Sequence, residues 1–116
     1  MLISIFEYTN ASSIQYPKRL NGTIYFYNDN YFASKNNYNF SLQASTKDIY
    51  MQNTTAYMTT LSPTYVNLEL NQLNIAYKNY LVIVAVFGVK NKYNENYTLN
   101  IGKNIYYRLQ AANNQP

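Results

Sequence analysis

Leu81-Val-Ile-Val-Ala-Val-Phe87 is seven apolar residues in a row, most of them β-branched. Such side chains fit a pleated strand better than a helix. Even extended to Tyr80–Val89 the run is too short to cross a bilayer, so it reads as a core strand. A strand that is apolar on both faces has to sit centrally in its sheet and be covered on both sides, or be covered by a neighbouring subunit.

Working outward, the flanking segments alternate. Val66, Leu68 and Leu70 face one way and Asn67, Glu69 and Asn71 the other, which predicts a strand with the leucines on the core. Tyr38, Phe40 and Leu42 alternate with Asn39, Ser41 and Gln43, and Tyr97, Leu99 and Ile101 with Asn96, Thr98 and Asn100. Helix formers are sparse, whereas Tyr, Ile, Thr, Val and Asn dominate. Strands are expected near Leu2–Tyr8, Gly22–Tyr27, Tyr38–Gln43, Asp48–Gln52, Tyr65–Leu70, Tyr80–Phe87, Tyr97–Ile101 and Ile105–Leu109. Pro17 and Pro63 fall between those runs, where a missing donor costs nothing. Seven or eight short strands separated by Asn, Gly, Pro and Ser predict an all-β fold, an antiparallel, jelly-roll-like β-sandwich. The 116 residues suffice for one such domain over residues 1–116.

Leu2-Ile-Ser-Ile-Phe is the second strongly apolar stretch. It reads as a first strand, and more sharply as an assembly strand, in which Leu2, Ile3, Ile5, Phe6 and Tyr8 pair with another molecule. The polar segment Asn28–Asn37 reads as a loop carrying two aromatics, Tyr31 and Phe32, placed to contact a sugar or a partner.

Five N-glycosylation sequons are present, at Asn10, Asn21, Asn39, Asn53 and Asn96. With 19 Asn and 16 Ser plus Thr in the chain, roughly 2.6 would arise by chance, so five is an excess. The alternation noted above turns Asn39 and Asn96 to solvent. A glycosylated chain travels a secretory or surface route. The amino end lacks the basic region and cleavage site of a signal peptide, which makes the chain read as a segment or mature form of a longer exported protein.

At Tyr80-Leu-Val-Ile-Val-Ala-Val-Phe-Gly88, followed by Asn96-Tyr-Thr-Leu-Asn-Ile101, the chain resembles the pre-peptidase C-terminal family of secreted β-sandwich domains. Val84, Val86, Phe87 and Gly88 fit that family's aromatic-rich strand, Tyr97, Thr98 and Leu99 its closing strand, and Lys47-Asp-Ile-Tyr-Met51 its middle strand. The family's usual Trp and acidic positions are not reproduced. The resemblance implies a jelly-roll-like module of an exported protein, including the alternative of an accessory domain on a secreted hydrolase.

Chemistry-bearing residues are few. There is no His and no Cys, which removes the commonest general base, the commonest metal ligand, thiolate sites and disulfides. The five carboxylates, Glu7, Asp29, Asp48, Glu69 and Glu95, share no motif. A net charge of +4 without any basic run longer than Lys18-Arg19 gives no footprint for nucleic acid. The expectation is therefore a non-catalytic extracellular module without cofactor or metal. It would carry N-linked glycan and self-associate into a surface fibre, or, alternatively, bind carbohydrate or a cell surface.

Overall fold

The computed structural model describes residues 1–17, 19, 22–27, 39–63 and 66–113, with the backbone alone for 22–27 and 39–42. Six strands form one antiparallel sheet: β1 Leu2–Glu7, β2 Gly22–Tyr27, β3 Asn39–Ile49, β4 Thr55–Pro63, β5 Leu68–Tyr77 and β6 Tyr80–Val89. A 20-residue helix, α1 Asn94–Asn113, follows. The spatial order is β1-β6-β5-β4-β3-β2, so β2 to β6 form a meander and β1 closes on β6.

The all-β expectation is corrected at the carboxyl end. Tyr97–Ile101 and Ile105–Leu109 are helical, and among the described residues one layer of the expected sandwich is replaced by α1. Strand-favouring Tyr, Thr and Ile are overruled there by packing at helical spacing. Thr98, Gly102 and Tyr106 recur every four residues and are buried, and Leu99, Ile101, Ile105 and Leu109 pack beside them. A turn starts the helix: the Tyr93 N–H donates to Asn91 Oδ1 at 2.9 Å, and Asn94 Nδ2 donates to the Val89 carbonyl at 2.6 Å.

Register fixes the two faces of the sheet. Leu73 lies opposite Val84 and Met58, and Ile75 opposite Val82 and Ala56. These six residues are buried and form the main core with Tyr77 and Tyr106. Gly102 lets α1 approach Leu73 and Ile75 directly, which places α1 on this face. On the opposite face the β1–β2 connection crosses one end of the sheet. Ile14 packs there on Ala76 and Leu81 beside Tyr8 and Ile83. Tyr57 donates to the Pro17 carbonyl at 2.6 Å, and Arg19 lies over the Tyr57 ring and bonds Asp48 at 2.7 Å.

β6 is thus covered on both faces along its first half, with Leu81 under the connection and Val82 and Val84 under the helix. The alternation in β5 runs opposite to the expected phase. Glu69 and Asn71 are buried, at 7 % and 1 % exposure, whereas Leu68 and Leu70 are half-buried and Val66 is exposed. The stretch Asp48–Gln52 divides, with β3 ending at Ile49 and a turn beginning at Gln52. Thr55–Pro63 is a strand that the Thr-rich sequence did not announce.

Two buried phenols make alkaline stability a test of this packing. Burial raises the pKa of Tyr57 above 10.0, opposed in part by Arg19, and burial raises that of Tyr106, whose hydroxyl donates to the Gln52 carbonyl. Both groups hold their protons more tightly folded than unfolded. Their contribution is therefore fully present below about pH 10 and is lost as pH rises through the higher folded values. Urea unfolding followed across pH 9–12 is expected to show a falling alkaline limb. Tyr106→Phe should flatten that limb while costing about 1 kcal/mol at neutral pH.

Candidate functional site: an apolar sheet edge

Strand β1 pairs with β6 and with no other described strand. The outer backbone groups of such an edge are a template for a further strand. Alternation sends Ile3 and Ile5 to the face that bears α1, and Leu2 and Phe6 to the other. Leu2 is 64 % exposed, Ile3 42 %, Ile5 54 % and Phe6 46 %. Edge strands are ordinarily blunted by lysine, proline or a bulge, and β1 carries only Glu7, at its end. Phe87, on the same face as Leu2, extends the exposed apolar surface onto β6.

Tyr8, the fifth expected assembly residue, does a different job. Its N–H donates to the Asn79 carbonyl and its carbonyl accepts from Asn79 Nδ2, both at 2.8 Å. The side chain packs on the second core cluster. Tyr8 therefore anchors the end of β1 to the two-residue turn Lys78-Asn79, in which Lys78 takes a left-handed φ of 52°.

Of the sequon asparagines, Asn10, Asn53 and Asn96 are exposed. Asn10 caps the short 3-10 turn Ala11–Ser13, its Oδ1 accepting from the Ser13 N–H at 3.1 Å and from Ser12 Oγ at 2.6 Å. Both bonds use Oδ1 and not Nδ2, the atom to which a glycan is joined. Asn53 stands in the β3–β4 turn at φ 61°, a left-handed conformation that asparagine tolerates. Asn96 is reached by a helix and not by the strand expected for it. Asn39 opens β3 opposite Tyr27. Asn21, Tyr31 and Phe32 lie outside the described residues.

One aromatic surface was not legible beforehand. Tyr50, 91 % exposed, and Tyr107 of α1 flank a cleft of about 260 Å³ floored by Met51 and Tyr106, with Gln52 and Gln110 on its walls. The sequence pattern puts Tyr50 inside one strand and Ile105–Leu109 in another, and only the helical turn of α1 brings Tyr106 and Tyr107 beside Tyr50 and Met51.

Among the described residues no three His, Cys, Asp or Glu gather where a metal ion could be held, and no helix is long and apolar enough to cross a membrane. No family model matches the chain, and no curated protein and no solved structure matches it either.

Proposed function

We propose that this chain is a non-catalytic, extracellular, N-glycosylated structural module that assembles with copies of itself by strand addition at β1. The observation that carries the reading is the edge itself: four apolar side chains, two on each face, exposed on a strand that pairs on one side among the described strands. A strand from a second copy would satisfy the outer backbone groups and bury Leu2, Ile3, Ile5 and Phe6. A contact between different surfaces of identical subunits propagates as a fibre. In that assembly a neighbouring sheet would also supply the second layer of a sandwich over the half of the sheet, around Leu68, Leu70 and Phe87, that lies beyond the connection.

Electron microscopy of the concentrated, glycosylated chain tests assembly. Filaments with a regular axial repeat support it, and a population of single particles at every concentration removes it. Glycopeptide mapping of the secreted chain tests export independently. Glycan is expected at the exposed Asn10, Asn53 and Asn96, and complete vacancy of all three would end the extracellular part of the proposal.

The Tyr50–Tyr107 cleft favours a second reading, a carbohydrate-binding module, because aromatic faces beside amide side chains suit a sugar ring. A glycan array read with the wild-type chain and with Tyr50→Ala separates the two readings. Signals lost in the variant support binding, and a blank array removes it.

A further inference from the structure

The face that carries α1 is not uniformly apolar. Where α1 covers it, the rows are Ile49, Ala56, Ile75, Val82 and then Lys47, Met58, Leu73, Val84, with Lys47 paired to Glu95 of the helix. Beyond them, toward the start of the helix, come Ser45, Thr60, Asn71, Val86 and then Gln43, Ser62, Glu69, Gly88, polar but for Val86 and Gly88. A sheet face buried against a helix ordinarily continues with apolar residues, and a carboxylate is almost never buried without a partner. Glu69 is 7 % exposed and forms no ion pair among the described residues. It lines two adjoining clefts of about 340 and 320 Å³. Gly88, directly opposite it on β6, leaves a hollow: a Cβ there would meet nothing within 4 Å.

Hydrogen bonds around Glu69 determine what such a basin accepts. Thr60 Oγ1 donates to Asn71 Oδ1 at 2.9 Å, Asn71 Nδ2 donates to Glu69 Oε1 at 3.0 Å, and Ser62 Oγ donates to the Leu68 carbonyl at 3.3 Å. The hydroxyl protons of Thr60 and Ser62 are therefore spent inside the protein. Glu69 is the one buried carboxylate among the groups that line the two clefts, beside Gln43, Ser45 and Lys90 in one and Asn91, Lys92 and Glu95 in the other. Lys90 lines both clefts with Glu69 but makes no ion pair with it. Glu95 pairs with Lys47, Lys92 lies over the Tyr93 ring at 5.0 Å, and Lys90 is exposed.

From this arrangement we infer that the Glu69 basin is a binding site for a primary ammonium group on a small molecule. The ammonium would donate to Glu69 and to the Ser62 and Thr60 oxygens while its carbon chain lies in the hollow over Gly88. The site is independent of β1 and of any glycan.

The test is a titration of the full, folded chain with n-butylammonium, read by amide ¹H–¹⁵N spectra. Tetramethylammonium, which has charge but no N–H, and n-butanol, which has no charge, are the comparison probes. Saturable shifts centred on Ser62, Glu69 and Gly88 are expected with n-butylammonium alone. Glu69→Gln keeps the bond from Asn71, and Gly88→Val fills open space on a strand that favours β-branching, so both should fold as wild type. Each should weaken binding by about tenfold or more, the effect of losing a charge-assisted contact or the room for the ligand. Lys90→Gln should bind at least as tightly as wild type. Three results would overturn the inference: no saturable shift, equal response to tetramethylammonium or n-butanol, or affinity retained by Glu69→Gln. A Lys90→Gln loss as large as that of Glu69→Gln would overturn it too, by making the site anionic in preference.

Discussion

Leu73→Ala is expected to lower the unfolding free energy by about 3–5 kcal/mol, the upper range for truncating a buried leucine. Leu73 is fully buried at the centre of the main core, between Met58 and Val84 in the sheet and Gly102 of α1 above it. A domain of this size holds on the order of 5–15 kcal/mol in all, so the variant would sit close to its unfolding threshold at physiological temperature. Gly102 supplies the control that assigns the loss to the helix–sheet contact. A Cβ on Gly102 would overlap Leu73 Cδ2 and press on Ile75 Cδ1 at 3.2 Å. In the wild type, Gly102→Ala therefore sets a helix-propensity gain of about 1 kcal/mol against an overpacking cost of about 1–3 kcal/mol. In the Leu73→Ala background the overlap is gone and the added methyl partly fills the void. The same substitution should then be stabilising, giving a coupling of about 1–3 kcal/mol in a double-mutant cycle read by urea denaturation. Simple additivity would show that α1 is not seated on Leu73.

That contact also marks where the sequence was readable and where it was not. β6 was legible because seven consecutive apolar residues leave few alternatives, and β1 and β2 because short β-branched runs are bounded by Asn, Pro and Gly. α1 was hidden because its buried stripe is built from Thr98, Gly102 and Tyr106, none of them a strong helix former, while Tyr97, Leu99 and Ile101 also satisfy an alternating pattern over five residues. The repeat at four, Ile101 with Ile105 and Leu109, was the available helical signal. It becomes visible only when the window is widened past a single strand length.

β5 shows a different failure. The alternation predicts a strand over Tyr65–Leu70, whereas β5 runs Leu68–Tyr77, and the face that hydrophobicity assigns is the wrong one, since Glu69 and Asn71 are buried. They are held by a hydrogen-bond chain to Thr60 on the neighbouring strand, a pairing across the sheet that no local pattern encodes. The candidate edge was legible in composition, since Leu2, Ile3, Ile5 and Phe6 were singled out as a group. Its position was not, because only the closure of β1 on β6, between residues about eighty apart in the chain, puts β1 at the end of the strand order among the described residues.

Placing one lysine on each face of that edge, as Ile5→Lys with Phe6→Lys, is expected to abolish self-association while leaving the fold intact. Both side chains are about half exposed, so the monomer loses only part of the burial of two residues, on the order of 1–2 kcal/mol in total. A lysine reaches solvent from such positions by extending its stem along the sheet. Strand addition, in contrast, would have to bury both charges against an apolar partner at every junction of a fibre, which is how natural sheets protect their edges. Sedimentation velocity across a concentration series should show wild-type chain moving into large species while the double variant stays monomeric, with closely similar circular dichroism. The paired control is Tyr107→Lys, a charge placed on the exposed face of α1 away from the edge, which should assemble as wild type does. If the control loses assembly as completely as the edge variant, net charge and not β1 governs association. If the edge variant still polymerises, the contact lies elsewhere on the sheet, and the face opposite α1 around Leu68, Leu70 and Phe87 becomes the surface that joins the subunits.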